Sequence, residues 1–264
     1  MPALFLLLLF AAEATPGPDL PLPPFGIARV KTEKKVVALT FDACATTLQD
    51  NDFDRRVWDI LKKEEVPVTI YLSGRWVETH LTEAKELAAA PFVEFGNHTY
   101  AHPRLPRVSP KRLTSEIELA QTLIFEPLGK PALTLRPPAG AWNVNVVRAA
   151  RMHKLPVVLW DVVSGDAGGH VSAARMVEVV LAETKPGSII IFHINGRGPF
   201  THDAIPPILE GLRKKGFDFV TVSSLLSEHR NSLVRAKPSV LGFHRLKNDE
   251  KHPEDEEGHD DQAP

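Results

Sequence analysis

Ionisable side chains stand where apolar runs end. Asp42 follows VVALTF, His98 and His102 sit in GNHTYAHP, Arg136 opens RPPAG, Asp161 and Asp166 lie in WDVVSGD, and His193 follows SIIIF. His98 and His102 are four apart, a spacing that on a helical turn puts two imidazoles on one face. Nitrogen ligands of this kind suit zinc or another divalent transition ion; two surface histidines in a proline-bounded loop are the ordinary alternative. Asp42 either begins a turn or marks the mouth of an active site. Arg136 precedes two prolines that would fix its backbone, so it could pair with a buried carboxylate such as Asp42. His193 suits an acid or base role, against a satisfied structural histidine. Cys44, the single cysteine, is first a small packing residue, although a thiolate is also a good zinc ligand.

These residues need elements to hold them. After a proline-rich stretch, short β-rich runs alternate with helical patterns. Strands are expected over 36–41, 66–72, 92–96, 132–135, 156–160, 188–193 and 217–222. Apolar spacing predicts helices over 53–63, 83–90, 110–124, 143–152, 172–182 and 203–215. Ser109 and Pro110 form a cap-and-first-turn pair, and Gly216 stops the last helix. About seven β-α units with strands this apolar imply a parallel sheet covered on both faces. A closed or nearly closed barrel fits best, and an open doubly wound sheet is the alternative. In both, chemistry belongs beyond the carboxyl ends of the strands, where the ionisable residues are found.

The 264 residues carry a formal charge of −2, which does not suggest a nucleic-acid binder. Residues 249–264 hold eight acidic residues and one lysine, a local −7 that leaves +5 on the rest; such a tail is expected to be disordered. The amino-terminal run LFLLLLFAAEA, within residues 1–14, has the form of a signal peptide, too short for a mature span and lacking a basic start. Residues 15–33 read as a linker, 34–230 as the catalytic domain and 231–264 as an extension with the acidic tail. No further membrane span is expected, and the pattern is silent on oligomeric state.

With these motifs assembled, the chain resembles the polysaccharide deacetylases with the NodB-homology domain, carbohydrate esterase family 4. The resemblance covers roughly residues 34–226 and rests on TFDAC, NHTYAHP, RPPAG, WDVVSGD and IIIFH, in the family's order. It implies a distorted seven-stranded (β/α) barrel and removal of acetyl groups from peptidoglycan, chitin-like oligomers or xylan. It also implies roles: Asp42 as general base, His98 and His102 as metal ligands, Arg136 as the residue holding the base, and Asp166 paired with His193, the general acid. Two positions depart from the family. Its second aspartate, the third metal ligand, falls at Ala43, and the tryptophan after the fourth-motif aspartate is Ala167. Substitutes for the lost ligand are Asp42 itself, Asp50, Asp52 or Asp54 in the following loop, and Cys44. Phe192 is a substitute wall for the acetyl pocket, with Pro138 and Trp142 also on the substrate surface, whereas Trp160 reads as core.

The expected activity is metal-dependent hydrolysis of an N-acetylated, or O-acetylated, polysaccharide by an exported protein with Zn2+ as the cofactor. The partner is an acetylated glycan. The competing classes are a catalytically impaired glycan-binding module and a metal-dependent hydrolase of a small amide.

Overall fold

The computed structural model describes residues 18–45 and 52–238. The expected signal segment 1–14, Asp50 and the acidic tail lie outside the described residues. The elements run β1 (Ile27–Val30), β2 (Val36–Ala43), α1 (Arg55–Glu64), β3 (Val68–Leu72), α2 (Gly74–Thr79), α3 (Leu81–Ala89), β4 (Val93–Asn97), α4 (Pro110–Leu128), β5 (Ala132–Leu135), α5 (Val144–Met152), β6 (Val162–Val163), α6 (Ala173–Glu183), β7 (Ile189–His193), α7 (Thr201–Lys214), β8 (Asp218–Phe219), α8 (Val222–Glu228) and β9 (Leu233–Arg235).

The main sheet has the order β5-β4-β3-β2-β7-β6, with β8 pairing β2, and its pairings are parallel. Parallel neighbours need crossovers, and the helices provide them. The ring is brought towards closure by the stretch from Val157 to Val163. Val157 bridges Leu135 of β5, Val158 bridges Ile27 of β1, and Val162 pairs with Ile190 of β7. The result is the distorted, barrel-like (β/α) core that the sequence leads one to expect.

Local chemistry explains the boundaries. Asp54 caps α1, its Oδ1 accepting from the amides of Arg56 and Val57 at 3.1 and 3.3 Å. Ser109 caps α4 with Pro110 in its first turn, and Gly129 ends it in the left-handed region at φ 67°.

Two strands differ from expectation. Residues 156–160 form bridges rather than a ladder, because the chain there passes from β5 across to β7 and changes partner within a few residues. Residues 217–222 yield only the two-residue β8, because Thr221 becomes the cap of α8. The expected linker and extension also need correction. β1 lies within 15–33, β9 lies beyond 230, and they pair antiparallel, with Ile27 and Val30 fully buried. The parts of these segments that form β1 and β9 thus belong to the folded body.

Strand side chains alternate between two environments, as a period of two requires. Leu39, Phe41 and Ala43 of β2, Ile70 and Leu72 of β3, and Ile190 and Phe192 of β7 join the large apolar cluster that includes Trp58, Trp76 and Ile208 from the helices. Ala38, Tyr71 and Ile189 belong to a separate cluster with Val158 and Leu225. Asp42 and His193 share the second parity and meet in register across β2 and β7.

Candidate active site

The site forms where β2, β4, β5 and β7 end. Asp42 is 3% exposed, and Arg136, fully buried, donates from Nη1 to its Oδ1 at 2.8 Å. A second donor of Arg136, Nη2, reaches the Leu159 carbonyl at 3.1 Å, and its guanidinium lies 3.9 Å from the centre of the Tyr71 ring. The cation is therefore gripped on its edge and its face. Burial alone would raise the Asp42 pKa, but the Arg136 charge and hydrogen bond, with His193 beyond, outweigh it and hold the carboxyl below the usual range. Asp42 is thus a carboxylate at neutral pH, able to accept a proton.

The loop after β4 aims the two histidines. Thr99 and His102 adopt left-handed backbone, at φ 66° and 60°, which side chains other than glycine rarely take. Hydrogen bonds hold this shape. Asn97 Oδ1 accepts from the Thr99 amide at 2.8 Å, and Thr99 Oγ1 accepts from the His102 amide at 3.2 Å. Glu116 Oε2, from α4, accepts from the amides of Tyr100 and Ala101 at 3.0 and 2.8 Å. Asn97 and Glu116 are positioning residues that the motif reading passed over; the asparagine immediately before His98 was the available signal.

His98 Nδ1 is 2.8 Å from the Arg136 carbonyl oxygen. A carbonyl only accepts, so Nδ1 carries the proton and Nε2 keeps its lone pair. Burial lowers the pKa of His98, and burial with the neighbouring His98 pushes His102 down to about 3. Both rings are neutral at neutral pH, the form that could ligate a metal ion. Their centroids are 4.9 Å apart.

The third donor of this group is Cys44. One atom each from Cys44, His98 and His102 lie within 4.8 Å of one another, the one such cluster among the described residues. Two neutral imidazoles and a sulfur fit a borderline-soft divalent cation. Asp42 stands beside the cluster, its Oδ2 3.5 Å from His98 Nε2, with its other oxygen engaged by Arg136. Asp54 is committed to the α1 cap. Asp52 is exposed, and its Oδ1 accepts from the Phe53 amide. Ala43 is fully buried and bears no ligand atom.

On the other side, Asp166 Oδ1 and His193 Nδ1 are 2.9 Å apart, and Asp166 Oδ2 accepts from the His193 amide at 2.6 Å. Ser164 and Thr201 hydroxyls donate to the same carboxylate. Burial disfavours the imidazolium, but the charge and hydrogen bond of Asp166, with Asp42 beyond, outweigh it and raise the His193 pKa. Asp166 thus holds the His193 ring in one orientation and favours its protonated form.

Two expected substrate contacts are corrected. Phe192 is fully buried and stacks on Phe41 with ring centroids 5.4 Å apart, on the side opposite its neighbour His193. Trp142 is 2% exposed, packed with Leu135, Val146 and Leu159. Neither ring can stack on a sugar. Pro138 is buried as well. Trp160 is half-buried, 5.4 Å from the Arg136 guanidinium.

The comparisons with known proteins fit this geometry. The polysaccharide deacetylase family model matches residues 29–158. A peptidoglycan-N-acetylglucosamine deacetylase of Bacillus cereus is 32% identical over 194 residues, which cover 73% of this chain and 68% of that protein.

The chain belongs to the polysaccharide deacetylase family.

Among solved structures of this deacetylase family, a wild-type family 4 carbohydrate esterase pseudoenzyme from Bacillus anthracis superposes with a TM-score of 0.71 at 27% identity, covering 80% of this chain and 72% of that one. A mutant of the same pseudoenzyme, with restored enzymatic activity, gives 0.70 at 28% identity, covering 78% and 72%. The deacetylase fold is therefore shared with hydrolases and with a member that has lost activity. No helix among the described residues is long and apolar enough to cross a membrane.

Proposed function

We propose that this polysaccharide deacetylase homologue recognises an N-acetylated glycan of the peptidoglycan or chitin type, and that its hydrolysis of the acetyl group is impaired. The observation that carries the reading is Ala43, a buried methyl group where the family motif has a metal-ligating carboxylate. The solved pseudoenzyme and its mutant with restored activity support it, since the same fold is found in a member without turnover. Export, through the segment 1–14, would bring the protein to such a polymer.

The cation, which we take to be Zn2+, would be held by His98 and His102. When bound, such an ion lowers the pKa of a water and polarises a carbonyl. The residues of the chain would do the rest. Asp42, kept ionised by Arg136, would accept the proton of the attacking water. His193, kept protonated by Asp166, would deliver a proton to the departing amine. Both pairs retain hydrogen-bond geometry, at 2.8 and 2.9 Å, and they favour a second reading: a metal-dependent deacetylase of full activity.

Acetate release and binding of N-acetylglucosamine oligomers, measured with added zinc on wild type and Ala43→Asp, separate the readings. The expected result is oligomer binding by the wild type and at least tenfold faster release by the variant, with thermal unfolding to verify that it folds. Wild-type release equal to or above that of a folded variant overturns the impairment. Absence of oligomer binding by either protein overturns the glycan reading.

A further inference from the structure

β2 ends by presenting two successive residues to different surroundings. Ala43 joins the apolar cluster between sheet and helices. Cys44, which follows it, is 1% exposed and has its sulfur within 4.8 Å of a ring nitrogen of both His98 and His102. A sulfur placed there for packing alone would be expected among carbon atoms. This one faces donors. Asn195 Nδ2 lies 3.2 Å from Cys44 Sγ, and the same amide group donates to the Cys44 carbonyl at 2.9 Å. Asn195 is itself 1% exposed, so this bridge is buried. The Arg197 side chain, two residues on in the same loop, also donates to the sulfur.

Burial and the charge of Asp42 push the Cys44 thiol up to about 11 and outweigh these donors, so a cation taking the sulfur as a ligand would displace its proton. Outer groups that hydrogen-bond to a metal ligand orient it and tune its donor strength. A buried sulfur near two imidazoles and hydrogen-bonded from a separate loop has the surroundings of a metal-ligating cysteine. The three donor residues come from two loops at the same end of the sheet, and the supporting shell from a third, between β7 and α7.

We propose that Cys44 is the third protein ligand of the metal centre, making a Cys-His-His site, and that Asn195 and Arg197 are positioning residues for its sulfur. The inference deepens the proposed function and rests on the same cleft as the working site. It identifies what replaces the carboxylate absent at Ala43, and it sets the preference of the centre. A thiolate with two imidazoles favours Zn2+ or Co2+ over hard cations such as Mg2+ and Ca2+, which take oxygen ligands. It also gives a reason for impaired hydrolysis. A thiolate donates more charge than a carboxylate, leaving the ion a weaker Lewis acid.

Cobalt substitution tests this without reference to turnover. The full chain, freed of metal, is titrated with Co2+ and followed by absorption. Wild type is expected to show a sulfur-to-cobalt charge-transfer band in the near ultraviolet with one equivalent bound. Cys44→Ser should lose that band and bind Co2+ at least tenfold more weakly. Arg197→Ala, at an exposed position, and Asn195→Ala should keep the band but weaken binding by roughly tenfold to a hundredfold, the usual effect of removing an outer partner. Cobalt bound by wild type without a charge-transfer band, or bound equally well by a folded Cys44→Ser, overturns the proposal. So does failure of the wild type to bind cobalt. These outcomes are independent of the glycan reading, which fails on oligomer binding.

Discussion

Asp166 grips His193 at two points: its Oδ1 is 2.9 Å from ring Nδ1, and its Oδ2 accepts from the backbone amide at 2.6 Å. The carboxylate thus fixes where the residue sits and which ring nitrogen carries the inward proton. Nε2 is left as the ring nitrogen that Asp166 does not engage. A carboxylate that only neutralised the imidazolium would need no contact with the backbone.

The pH consequence has a definite sign. The His193 pKa is raised in the folded protein above its ordinary 6.5, so the folded state binds this proton more tightly than the unfolded chain. The stability from the pair is fully present below about 6.5 and is lost as pH rises through the raised folded value. Asp166→Asn should lower the His193 pKa, seen by following its ring resonances with pH, and should flatten the dependence of stability on pH in that window. In any active variant the basic limb of the pH-rate profile should move to lower pH. An unchanged His193 titration in a folded Asp166→Asn protein would contradict the pairing.

Arg136 offers a test of stability. Its guanidinium is fully exclosed from solvent and its partner Asp42 is 3% exposed. Removing one member of a buried ion pair strands the other charge, at a typical cost of about 3–5 kcal/mol. Arg136→Met should destabilise by that order in urea unfolding, while Arg136→Met with Asp42→Asn should recover much of the loss. Single and double variants of equal stability would show that the two charges are not coupled.

Trp142 should behave as core. Truncating a buried tryptophan costs about 3–5 kcal/mol, and Trp142→Ala is expected to fall in that range by urea unfolding. Trp142→Phe should retain oligomer binding. Loss of binding with stability unchanged would place the ring on the substrate surface instead.

Much of this was legible in the chain because it depends on short-range physics. The 3.6-residue spacing and the Ser109–Pro110 start located α4, and β5 falls at the expected 132–135. The parity of a strand also decided against Phe192: the residue next to His193 must face the other side, and reading that alternation from IIIFH would have excluded it. The stretch 156–160 misled because its apolar residues satisfy several partners in turn rather than one continuous ladder.

What the sequence determined by itself was the order of elements, the gathering of ionisable residues at strand ends, and the loss of a ligand at Ala43. The first two follow from periodicity, capping and residue type, and the third from the resemblance of TFDAC to the family motif. Only the tertiary structure decided that Cys44, rather than Asp52 or Asp54, is the described residue clustered with His98 and His102, and that Asn195 backs its sulfur. It alone decided that Trp142 is enclosed. The reason is distance along the chain. Which side chains meet across β2, β4 and β7 depends on strand order and register, which are set by the packing of the whole core.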